Sequence, residues 1–143
     1  MKLTFTSNSP DQTAEIAKKI APVAKARGMV ALTGPLGAGK TAFTRGLVAS
    51  LCPECENLVH SPTFAIVNEY IGKENSVFHF DFYRIKSPDD LYSTGFYDYE
   101  ERNGVIVIEW GELFGDCIAE NAVFVEIVPQ GETQRAITIT YKD

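Results

Sequence analysis

The chain has 143 residues, 45% hydrophobic and 22% charged, and no stretch approaches the roughly 18 consecutive apolar residues of a membrane span. A formal charge of −6 disfavours a wide surface that tracks a nucleic-acid backbone, because such surfaces use Lys and Arg to neutralise phosphates. These bounds predict one globular domain over residues 1–143, with no membrane role and any RNA held by a partner. The first residues, Met1-Lys2-Leu3-Thr4-Phe5, lack a signal-like apolar segment, so the expected location is cytoplasmic.

Residues 6–11 are polar and rich in Ser, Asn and Pro. Residues 13–26 then carry Ile16, Ile20 and Val23 at helical spacing, and the predicted helix ends near Arg27-Gly28. Residues 29–33 form a short apolar run like a buried strand, and residues 42–50 can continue as a helix. Between them lies Gly34-Pro35-Leu36-Gly37-Ala38-Gly39-Lys40-Thr41, a full match to the phosphate-loop pattern G-x-x-x-x-G-K-[ST]. Backbone N–H groups held open by glycines, followed by a helix N-terminus, suit a polyphosphate; Ala42 continues that first turn. Lys40 can place its ammonium on the β- and γ-phosphates, and the Thr41 hydroxyl is the usual Mg²⁺ ligand.

Cys52, Cys55 and Cys117 cannot all pair internally, which suits a reducing compartment. The Cys52-Pro53-Glu54-Cys55 spacing supplies only two metal ligands, so reduced thiols at a helix exit are expected. Residues 64–71 and 76–82 read as strands separated by Gly72-Lys73-Glu74-Asn75, the spacing of a hairpin. Ser87 and Pro88 carry a cap signal for a short helix over residues 89–94. Residues 105–110 resemble a central parallel strand, and residues 122–128 and 135–141 flank a Pro129-Gln130-Gly131-Glu132 turn as two further strands. The sum is an α/β fold, a P-loop NTPase-like three-layer sandwich with a mixed, mainly parallel central sheet and the nucleotide at the strand ends.

A phosphate loop needs a second carboxylate at a strand end to hold or orient the Mg²⁺ shell. Asp81 and Glu109 both qualify. Glu109 closes the cleaner apolar run and is slightly favoured; Asp81 can then sit near the γ-phosphate and help position water. Thr63, in Ser61-Pro62-Thr63-Phe64, lies where switch-like loops contact the γ-phosphate and metal. Strand alternation would put His79, Asp81 and Tyr83 on one face. Arg84 is a candidate phosphate or acid partner, and Trp110 a packing group beside the nucleotide.

The ordered set of Gly34 to Thr41, Ser61-Pro62-Thr63-Phe64, His79-Phe80-Asp81-Phe82-Tyr83-Arg84 and Ile108-Glu109-Trp110 resembles the bacterial TsaE family over essentially the whole chain. These are small ATPases of tRNA threonylcarbamoyladenosine (t6A) biosynthesis. The resemblance implies ATP and Mg²⁺ as ligands, hydrolysis that is slow for the protein alone, and work with a TsaB-TsaD-type threonylcarbamoyl transferase pair that stimulates it and acts on adenosine 37 of tRNA, with the tRNA contacted only through that complex. It implies Thr41 and Glu109 as Mg²⁺ ligands, Lys40 as the phosphate clamp, Asp81 as a residue needed for hydrolysis, and Thr63 in a loop that senses nucleotide and partner. It also points to Ser9, Pro10, Glu132 and Arg135 as neighbours of adenine and ribose. Two other readings accommodate a phosphate loop. One is a small-molecule kinase, against which stands the lack of an arginine-rich lid; the other is a nucleotide-sensing module with little turnover.

Overall fold

The computed structural model describes residues 1–60 and 66–143. Thr63 and its neighbours in the 61–65 segment lie outside the described residues. The chain runs β1 (Lys2–Ser7), α1 (Pro10–Arg27), β2 (Met29–Thr33), α2 (Lys40–Leu51), β3 (Val67–Ile71), β4 (Ser76–Asp81), α3 (Pro88–Ser93), α4 (Phe96–Tyr99), β5 (Val105–Glu109), β6 (Val123–Pro129) and β7 (Arg135–Thr140). Two 3₁₀ segments, Pro53–Leu58 and Gly111–Cys117, join α2 to β3 and β5 to β6.

Among the described residues the strands form one seven-stranded sheet in the order β1-β7-β6-β2-β5-β4-β3. The central strands β6, β2, β5 and β4 are mutually parallel, whereas β3, β7 and β1 join by antiparallel pairing. Only β3 and β7 therefore oppose the common direction. The sheet is mixed and mainly parallel, as the alternation of strand and helix patterns predicts.

Binary patterning explains the layers. The apolar faces of α1, with Ile16 and Ile20, and of α2, with Phe43 and Leu47, pack on Val30, Val107, Val125 and Ile137 of the sheet. The opposite face carries a second core of Phe78, Phe80, Phe82 and Phe96. There Phe96 stands edge-on to Phe80 and Phe82 at centroid separations of 5.0 and 5.3 Å, the orientation that aromatic quadrupoles favour. β2, β4 and β5 are buried on both faces and accordingly read as continuous apolar runs. The third layer stops there. On β6 the buried and exposed residues alternate, leaving Phe124 and Val128 on an outer face that faces solvent, so the sandwich is three layers deep on one half of the sheet only.

The expected helices and strands are present with end shifts of a few residues. β1 has no counterpart in the sequence reading, although Leu3 and Phe5 alternate with polar residues; its partner, β7, lies at the other end of the chain. The hairpin of β3 and β4 forms as the spacing predicts. No helix among the described residues is long and apolar enough to cross a membrane. Cys52, Cys55 and Cys117 are free and buried. Cys52 and Cys55 donate to the carbonyls of Tyr70 and Ile71, and no cluster of three or more metal-ligating side chains occurs among the described residues.

Candidate functional site

The parallel strands bring their carboxyl ends to one edge of the sheet, where ligands of open α/β folds bind. β2 ends there in the glycine-rich loop. Gly39, at φ 109°, caps α2 in a left-handed conformation that favours glycine, and Ala38 N–H closes a turn onto the Pro35 carbonyl at 3.1 Å. The loop tip is open, with Leu36 exposed, whereas Ala38 and Ala42 are buried beneath it. Lys40 and Thr41 then occupy the first turn of α2.

Lys40 is 6% exposed despite its charge, and a lysine that buried needs partners. Its Nζ donates to the Gly34 carbonyl at 2.9 Å, lies 3.6 Å from Glu109 Oε1 and sits 4.8 Å from the centre of the Trp110 ring. Glu109 closes β5 directly beside Asp81 at the end of β4. Its second oxygen, Oε2, accepts from His79 Nε2 at 2.5 Å. Burial works to raise the Glu109 pKa, but the His79 hydrogen bond and the His79 and Lys40 charges outweigh it and hold the carboxyl below the ordinary range.

Asp81 is shifted the other way. Burial raises its pKa; the hydrogen bond from Tyr83 N–H opposes this and the Glu109 charge reinforces it. Two neighbouring carboxyls with opposed shifts are a common signature of divided chemical roles. The Tyr83 bond, 2.9 Å to Asp81 Oδ1, also turns the chain out of the strand. Tyr83 consequently does not continue the face shared by His79 and Asp81; it is exposed, with its ring 5.1 Å from Trp110. Arg84 is exposed as well.

Trp110 is the only non-glycine residue among those described with positive φ, at 61°. Such a backbone is uncommon for a bulky side chain and clusters at functional sites. Here it redirects the chain immediately after Glu109 and lets the indole lie against Lys40.

A cavity of about 280 Å³ adjoins the loop, lined by Ser9, Pro10, Thr13, the Gly37 to Gly39 backbone, Glu132, Thr133 and Arg135. The segment after β1 and the turn between β6 and β7 meet here because Ser7 pairs with Arg135, and Pro129 pairs with Arg135 from the other side. Ser9 also caps α1, accepting from Gln12 N–H at 3.1 Å. Arg135 braces the loop: its Nε donates to the Ala38 carbonyl at 3.0 Å and Nη2 to that of Gly37 at 3.3 Å. Its Nη1 bonds the carbonyls of Gly131, Glu132 and Gln134. The structure thus gathers every expected site residue that it describes at one sheet edge, in two adjoining groups. What sequence reasoning missed is the mutual engagement of His79 with Glu109, and the bracing role of Arg135, whose targets lie 97 and 98 residues away. The alternation of His79 with Asp81, one strand from Glu109, was the available signal for the first.

The strand, glycine-rich loop and helix, with acids on the two adjacent strand ends, define an α/β protein built to present a loop and a buried lysine at the carboxyl edge of its sheet. A family model described as "Threonylcarbamoyl adenosine biosynthesis protein TsaE" matches residues 7–137. The chain belongs to the TsaE family, whose role is in t6A biosynthesis. It is 35% identical to tRNA threonylcarbamoyladenosine biosynthesis protein TsaE of Rickettsia felis over 92% of this chain and 76% of that protein. Against the Bacillus subtilis protein of the same description it is 34% identical, over 97% of this chain and 85% of the relative. The crystal structure of YdiB from Bacillus subtilis superposes with a TM-score of 0.71 at 27% identity, covering 99% of this chain and 86% of that one.

Proposed function

We propose that the protein is a Mg²⁺-dependent ATPase that supports t6A formation at adenosine 37 of tRNA, binding and hydrolysing ATP in complex with a TsaB-TsaD-type threonylcarbamoyl transferase pair. The observation that carries this reading is the convergence of Lys40, on the first turn behind the glycine-rich loop, with Glu109 at the end of an adjacent parallel strand, 3.6 Å apart. An ammonium and a carboxylate at the mouth of a loop of backbone donors match the opposite charges of a polyphosphate and its counter-cation.

The donor set fits Mg²⁺. Glu109 offers a carboxylate and Thr41 a hydroxyl, hard oxygen ligands in the small number that Mg²⁺ takes from protein when phosphates and water complete its shell. When bound, the ion would neutralise charge on the β- and γ-phosphates. Lys40 would leave the Gly34 carbonyl for the phosphates, and the loop N–H groups would hold the β-phosphate. Asp81, with its raised pKa, is suited to orient a water and exchange a proton near the γ-phosphate. The adjoining cavity, with Ser9, Pro10, Glu132 and Arg135 on its walls, is the place for ribose and adenine. Thr63 is proposed as a contact of nucleotide and partner on the family resemblance alone, and a cytoplasmic location follows from the same role.

The test is reconstituted t6A formation on unmodified tRNA with the transferase pair and either the native chain or Lys40→Ala. Loss of repeated turnover with Lys40→Ala is expected, and normal modification by that variant would overturn the proposal.

A further inference from the structure

The remaining unusual feature of the site is His79. Its side chain is wholly buried, in the middle of β4, between β3 and β5. Nε2–H donates to Glu109 Oε2 at 2.5 Å, while Nδ1 has no hydrogen-bond partner among the described residues. A buried nitrogen left unpaired costs stability. An apolar side chain matching the surrounding core would be the better choice if this position served packing alone. The pairing is also directional. His79 sits opposite Val107 while Asp81 sits opposite Glu109, so the imidazole reaches diagonally from two residues behind Glu109 and takes only Oε2. The other oxygen, Oε1, is the one directed to Lys40, whose Nζ in turn donates to the Gly34 carbonyl of the loop.

We infer that His79 is a positioning residue that holds the Glu109 carboxylate by one oxygen so that the other is presented to the cation of a bound nucleotide. A glutamate has three rotatable side-chain bonds, and ordering it each time a ligand arrives lowers affinity. A ring with two rotatable bonds, locked in a buried strand, removes that freedom in advance. Partners that orient a metal-binding carboxylate in this way typically change metal affinity by about 10- to 100-fold when lost. The inference rests on the proposed Mg-nucleotide site.

Its test compares two amides at one position. In His79→Gln the side-chain nitrogen falls where Nε2 stands and reaches Glu109; in His79→Asn it stops at the position of Nδ1 and cannot. Both place a polar amide in the same buried strand, so a merely structural role would make them alike, and thermal melts establish that each is folded. The readout is ADP affinity with Mg²⁺ and with EDTA, followed by fluorescence of Trp110, the single tryptophan, with Glu109→Gln as reference. The native chain is expected to bind ADP more tightly with Mg²⁺, and Glu109→Gln to lose that gain. His79→Asn is expected to lose about tenfold of it or more, and His79→Gln to keep most of it. A full Mg²⁺ gain in His79→Asn, or equal losses in both amides, would overturn the role of His79 while leaving the nucleotide site standing. No Mg²⁺ gain in the native chain would overturn both.

Discussion

Asp81 and Glu109 show how burial and neighbours can shift two identical functional groups in opposite directions. Glu109 has a histidine and a lysine on its two oxygens; for Asp81 burial is the main raising influence, with the Glu109 charge adding to it and the Tyr83 N–H and the His79 and Lys40 charges opposing. A carboxyl whose folded pKa is raised contributes its full stability below the ordinary aspartate range, near pH 4, and loses it as pH rises through the raised value. Asn does not titrate there and can still accept from Tyr83 N–H. The stability of Asp81→Asn relative to the native chain is therefore expected to increase between about pH 3 and about pH 7, as measured by urea denaturation; a difference that stays constant with pH would contradict the shift. The same variant is expected to bind ATP but turn it over slowly. Full support of t6A formation by it would favour a nucleotide sensor over an ATPase. Cys52 offers a simpler residue-scale prediction. Burial, reinforced by Cys55, pushes its thiol up to about 12, so at about pH 8 almost none is thiolate. Alkylation by iodoacetamide should be slow in the folded chain and rapid in urea; rapid labelling of the native protein would contradict this.

At the scale of elements, the most constrained contact is the crossing of α1 and α2. A Cβ built on Gly46 would meet the Ala14 carbonyl oxygen at 2.2 Å and Ala17 Cβ at 2.7 Å. Helix propensity alone favours Gly46→Ala by about 1 kcal/mol, whereas forcing a methyl into a packed contact typically costs about 1 to 3 kcal/mol. Backbone and a short Cβ cannot yield as a flexible side-chain end can, so packing is expected to win and the variant to be less stable in urea denaturation. A gain in stability would show that the helices separate freely. These elements also show what a sequence makes legible. α1, β2, α2 and β5 announce themselves because their signals are local: helical spacing, an apolar run, a fixed glycine and lysine pattern. β1 was missed because a short edge strand such as Lys2–Ser7 becomes recognisable through its pairing with β7. For the same reason the bracing of the loop by Arg135 could not be read from its flanking residues, and the Glu109 and His79 contact required knowing that β4 and β5 are neighbours in register. The glycine-rich loop, Lys40 and the two acids were legible as types; which acid holds which partner was not.

Across the whole molecule, topology explains why one edge carries the candidate site. β1, β2, β4, β5 and β6 all point the same way, so the start of α1, the glycine-rich loop, Asp81, Glu109 and the turn before β7 converge at their carboxyl ends. Among the described residues, the opposite edge contributes none of the candidate site residues. A net charge of −6 disfavours a wide surface gripping tRNA directly, which is in keeping with the proposed action through a transferase partner. Phosphate release from Mg-ATP, measured for the chain alone and with the TsaB-TsaD-type pair and using Lys40→Ala as control, tests the central claim most directly. Strong stimulation by the pair that vanishes in Lys40→Ala is the predicted result, whereas no stimulation while ATP remains bound, or stimulation that survives loss of Lys40, would contradict the account.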